Sequence, residues 1–117
     1  MLASLTKAQK KVARTLIDLA LDRECAKLIR KVSKLSNKPL DDVEKPNHAR
    51  YIELFKAIDS FDKRLQHRYD DITGGHYLEV ISYLYAEGVL KEDDLEICDG
   101  EMKNDIIRFK SVCDSIR

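Results

Sequence analysis

Five side chains able to hold a cation or move a proton fall within thirteen residues of one another: His67, Asp70, Asp71, His76 and Glu79. Histidine and carboxylate three or four positions apart share a helix face, and imidazole nitrogen with carboxylate oxygen suits a transition-metal ion. His67 with Asp71, and His76 with Glu79, have that spacing. The same spacing sets His67 and Asp71 opposite the apolar positions of their segment, on a face open to water, where a solvated polar surface accounts for them. A di-iron centre of the bundle type needs Glu-x-x-His pairs facing inward from separate helices, and no such pair occurs in the chain. Neither metal nor cofactor is therefore expected, and His67, Asp71, His76 and Glu79 are the candidates if a cation binds at all.

The turn Thr73-Gly74-Gly75-His76 could turn backbone N–H groups toward an anion at a helix start. It lacks the lysine and the preceding strand of a phosphate-binding loop, so a helix stop followed by a new start explains it equally well. The acidic stretch 93–105 fits no register of the calcium-binding loop. With Gly100 at the sixth position, Leu95 would be the first ligand. No G-x-S-x-G is present and no Ser, His and Asp spacing suggests a nucleophilic triad, so an enzyme is not expected.

Basic residues form the next constellation. Lys7, Lys10, Lys11 and Arg14 lie along one side of the first predicted helix, and Lys27, Arg30, Lys31 and Lys34 lie further along it on a different side. Clusters of this kind neutralise phosphates and release counterions. Residues 1–39 carry ten Lys or Arg against three acids, and the rest of the chain has the compensating excess of acids, most of it between positions 69 and 105. Mutual attraction of the two halves, within the chain or across a dimer, is the simpler account of that imbalance. The neutral total, with 21 basic and 21 acidic residues, also argues against a dedicated nucleic-acid binder. Cys25, Cys98 and Cys113 are odd in number, far apart and without a C-x-x-C pair, which fits buried thiols in a reducing compartment.

The elements that must position these residues are helical. A chain of 117 residues with 36% charged and 44% hydrophobic residues, 4 Gly and 2 Pro, has the profile of a helix-rich fold. No apolar run approaches the length of a membrane span or signal peptide, so a cytoplasmic protein without membrane contact is expected. The dominant pattern covers residues 51–72, where Tyr51, Leu54, Phe55, Ile58, Phe61, Leu65, Tyr69 and Ile72 recur every three or four positions. A stripe about six turns long is expected to be covered by other helices. The first helix is placed at 7–35, opened by a capping box of Thr6 and Gln9, with an apolar stripe that rotates beyond Asp22.

A loop follows over 36–47, stiffened by Pro39 and Pro46, with Asn47 capping the central helix. Helices are then expected over 76–87, stopped by Gly88, over 92–98 with Glu92, Asp93 and Asp94 at its positive end, and over 101–116. Tyr83, Ile52, Ile29 and Ile107 fall off their helices' main stripes and supply surplus apolar surface, as do the amphipathic Tyr51, Tyr77 and Tyr85.

The expected fold is all-α: one compact domain over 1–117, a bundle of about five helices with the first and second long. The expected role is non-enzymatic, binding a protein partner or a second copy as a homodimer. A nucleic-acid-binding module using the basic first helix is the alternative, and metal or anion binding at the turn after the central helix is the second alternative.

Overall fold

The computed structural model describes residues 5–40, 45–73 and 76–116; positions 41–44 of the loop, Gly74-Gly75, and the side chains of Asp70, Asp71, Ile72, Thr73, Cys113 and Ile116 lie outside the described residues. It is all-α, with α1 at Lys7–Ser36, α2 at Asn47–Thr73, α3 at Tyr77–Ala86, a 3₁₀ turn at Glu92–Ile97 and α4 at Gly100–Ile116. The first two are the long ones.

α1 opens as its sequence requires. Thr6 Oγ1 accepts the Gln9 N–H at 3.1 Å and Gln9 Oε1 accepts the Thr6 N–H at 2.9 Å, so two orphan donors of the first turn are satisfied reciprocally. The helix then continues unbroken through Asp22 for 30 residues, because neither Gly nor Pro interrupts it. α2 begins at its expected cap, one residue earlier than expected. Asn47 is already helical, and the Pro46 carbonyl accepts the Arg50 N–H at 3.1 Å, so proline takes the cap position. After α3, Gly88 adopts φ +82°, a conformation that a side chain would strain, and the chain doubles back to drive Val89 and Leu90 into the core. The expected fourth helix is tighter than α-helical. It closes as a 3₁₀ turn in which Asp94 accepts the Lys91 N–H at 2.7 Å. Asp99 Oδ1 accepts the Met102 N–H at 2.8 Å and opens α4.

The core gathers at one end. Ala13, Leu16, Ile17 and Ala20 of α1 meet Leu78, Val80, Ile81 and Leu84 of α3, Leu95 of the 3₁₀ turn, and Met102 and Ile106 of α4. α3 is apolar on most sides, as a helix packed among neighbours must be, and its Ser82 hydroxyl satisfies itself on the Leu78 carbonyl at 2.7 Å.

The expected bundle of five helices, the first two long, is present, but it is elongated rather than compact. The molecule measures 57 × 28 × 23 Å with a radius of gyration of 18.1 Å, against about 13 Å for a compact domain of this length. α1 and α2 run about 45 and 40 Å, whereas α3 and α4 span only about 15 and 25 Å. The short helices cover one end of the long pair, the base, and leave the other end as a protruding antiparallel arm. The stripe of α2 is therefore not covered along its length, contrary to expectation. Tyr69 packs against the core, but Tyr51, Phe55 and Ile58 are 62%, 56% and 47% exposed.

Candidate interaction surfaces

The arm is formed by the second half of α1, the first half of α2 and the loop between them. Its tip is held by a residue that the sequence pattern did not single out. The Arg50 guanidinium is buried and donates to the carbonyls of Pro39 at 2.6 Å, Lys38 at 2.8 Å and Leu35 at 3.2 Å. The last carbonyls of a helix have no partner within it, and a planar fork of donors suits several at once. Arg50 thus closes α1 and fixes the loop to α2. Its position, four residues after a proline that stops the preceding chain, was the available signal.

Each side of the arm has its own chemistry. Tyr51, Phe55 and Ile58 stand on one side, spaced by four and three residues, with Asp62 next in the series and held by Gln66 at 2.8 Å. Ile29 of α1 is 67% exposed. Cys25, Leu28, Val32 and Leu35 of α1 are only partly covered. The other side is a groove lined by Lys31, Lys45, Lys56 and Arg64, with Glu53 paired to Lys45. That ion pair holds the Glu53 carboxyl below its ordinary range.

At the foot of the arm, Arg68 bridges Glu24 of α1 and Glu87 beyond α3, the latter at 2.5 Å. Tyr69 donates to Glu24 at 3.5 Å, and burial together with that carboxylate pushes the phenol well above its usual range. Arg23 clamps Asp94 with two bonds of 2.6 and 2.9 Å and reaches the Val89 carbonyl at 2.9 Å. Arg23 holds the Asp94 carboxyl below its ordinary range, with the Lys91 N–H adding to the effect. Arg23 with Asp94, and Glu24 with Arg68, join the two halves within one chain, whereas Arg68 with Glu87 lies inside the second half.

The eight basic candidates take no part in that attraction. Lys7, Lys10, Lys11, Arg14, Lys27, Arg30, Lys31 and Lys34 are all exposed, and none forms an ion pair with another described residue. Arg14 lies over the Tyr77 ring, 5.9 Å from its centroid. The first four project from the base and the last four from the arm, so the helix separates them.

Of the metal candidates, His76 Nδ1 lies 2.6 Å from Glu79 Oε2 on the surface, as an isolated pair. His67 is exposed on α2, and the Asp71 side chain is outside the described residues. Among the described residues no group of three His, Cys, Asp or Glu side chains converges. Cys25 and Cys98 are half-buried thiols rather than fully buried ones, and burial beside Asp99 pushes the Cys98 thiol up. No described helix is long and apolar enough to cross a membrane. Comparison with protein-family models, with curated proteins and with solved structures finds no match.

Proposed function

We propose that the protein is a non-enzymatic interaction module that pairs with a second copy of itself through the apolar side of the arm. The observation that carries this is the exposed series Tyr51, Phe55 and Ile58 on a helix that packs Tyr69 against the core at its other end. In an antiparallel pair, residues rotated in the same sense from the line of contact emerge on the same side of the pair. Leu28 and Leu35 of α1, and Ala57 and Phe61 of α2, border the clefts between the two helices, and one position beyond Leu28 helical geometry carries Ile29 toward the same side as the α2 series.

Two such arms laid face to face make a four-helix layer in which each stripe is covered by its twin, as a two-fold interface requires. Within the α2 series the single charged residue, Asp62, lies at its end toward the base and is hydrogen-bonded by Gln66, so Tyr51, Phe55 and Ile58 form an uncharged run. Tyr and Phe at its centre are the residue types that anchor such contacts.

Light scattering across micromolar concentrations tests this. A dimer is expected for the native chain and a monomer for Phe55→Asp with Ile58→Asp, with the helical circular dichroism unchanged. A strict monomer at every concentration overturns it.

Nucleic-acid binding is the second reading, favoured by the exposure of all eight basic candidates and by Lys56 and Arg64 on the same side of the arm as Lys31. It requires an affinity for duplex or single strands that falls steeply with salt and is lost on charge reversal at Lys27, Lys31 and Lys34.

A further inference from the structure

A cleft of about 290 Å³ opens where the arm meets the base, between the middle of α1, the second half of α2 and the corner at Gly88. Its floor is apolar, made by Leu28, Ala57, Phe61, Leu65 and Val89. Its rim is cationic, made by Lys27, Lys31 and Arg64, all exposed and none in an ion pair with another described residue.

The two acids that line the cleft, Glu24 and Glu87, are both engaged by Arg68, which also lines it. Arg68 offsets one of their two negative charges, and Lys27, Lys31 and Arg64 exceed the remaining one by two, so the cleft keeps a net positive charge to attract an anion from solution. An inorganic anion would use the rim and leave the floor wet. A neutral apolar compound would cover the floor and leave the cations with no partner.

We propose that this cleft binds a small amphiphilic anion, one carboxylate or phosphate group on an apolar body. The body lies on Phe61, Leu28 and Leu65, and the head group meets Arg64 and Lys31. A guanidinium presents paired donors that match the two oxygens of either head group, and the flexible lysines close around it. The volume lies near the lower end of small-ligand sites, which limits the apolar body to a short chain or a fused ring. None of Tyr51, Phe55 and Ile58 lines the cleft, so this inference stands apart from self-association.

Calorimetric titration of the full chain with decanoate and with 1-naphthyl phosphate tests it, with inorganic phosphate and decanol as the head-only and body-only probes. Saturable 1:1 binding of at least one amphiphile is expected, tighter than either probe alone. Decanoate as the stronger ligand marks a fatty carboxylate site, and naphthyl phosphate marks a phosphate monoester site. Lys31→Gln with Arg64→Gln, both exposed and expected to fold, should weaken the better ligand at least about tenfold. Ala57→Phe, which fills the floor, should weaken it while leaving the rim intact. The proposal is overturned if neither amphiphile saturates, if inorganic phosphate or decanol binds as tightly, or if the glutamine variants bind like the native chain.

Discussion

In the base, the stretch of α1 bearing Ala13, Leu16, Ile17 and Ala20 is buried against α3, the 3₁₀ turn and α4, whereas further along the same helix Cys25, Leu28, Val32 and Leu35 are only partly covered. The contrast repeats on α2, where Tyr69 packs on the core and Phe55 does not. Apolar spacing is alike at both ends of each helix. What differs is the length of the partners, since α3 and α4 are too short to follow α1 and α2 to the tip. Periodicity therefore tells which side of a helix is apolar, and the lengths of the other elements decide how far that side is covered.

The contrast predicts unequal costs for similar substitutions. Leu84 is fully buried at the centre of the base, and Leu84→Ala should destabilise the fold by about 2–5 kcal/mol in urea titration, through lost burial and an unfilled cavity. Equal losses for Leu84→Ala and for Ile58→Ala would break the distinction between base and arm.

Arg50 is the exception that sharpens it, a buried polar anchor at the arm's tip. Arg50→Ala removes three charge-assisted bonds to carbonyls and should cost about 1–3 kcal/mol, with hydrogen exchange rising first at the end of α1. Arg50→Lys should recover only part of this, because an ammonium cannot reproduce the fork.

A smaller effect separates the two regions by pH. Asp94 in the base is held below its ordinary range by Arg23, so the folded state releases its proton more readily than the unfolded chain. That stabilisation is present above the unfolded carboxylate pKa of about 4 and fades as the pH falls through the lower folded value. Asp94→Asn should therefore destabilise the protein at pH 7 and narrow its gap to the native chain near pH 3. A gap that stays constant over this range would show that the Arg23 contact contributes nothing through charge.

Much of the fold is legible in the residues. Thr6 with Gln9, the absence of Gly and Pro in 7–36, the Gly88 corner and the buried pair Val89 and Leu90 follow from capping, propensity and hydropathy. The arm is not legible, because a stripe such as Tyr51, Phe55 and Ile58 has the same spacing whether covered or bare. Of the four residues that fall off their stripes, Tyr83, Ile29 and Ile107 are exposed and Ile52 is half-buried, so the off-stripe rule found part of the surface that the stripe rule missed. Arg50 was hidden because burial of a guanidinium depends on three carbonyls brought to it by the loop. The cleft was hidden for a like reason, since Leu28, Phe61 and Val89 belong to three segments that only the fold assembles.

The smallest expected effect is the most informative about the arm. Phe55→Ser removes an aromatic ring that the fold leaves 56% exposed, so at low protein concentration it should change stability by no more than about 0.5 kcal/mol. At high concentration the outcome depends on whether the ring is covered by a second copy. Self-association stabilises the native chain by mass action, so its melting temperature should rise with concentration while that of Phe55→Ser should not. The two melting curves then coincide when dilute and separate when concentrated. Leu84→Ala, by contrast, should lie below the native chain at every concentration, because the base is covered from within the same chain. If Phe55→Ser were as costly in dilute solution as a core truncation, the arm would have to be packed within the monomer, and the apolar side proposed for pairing would no longer be free to pair.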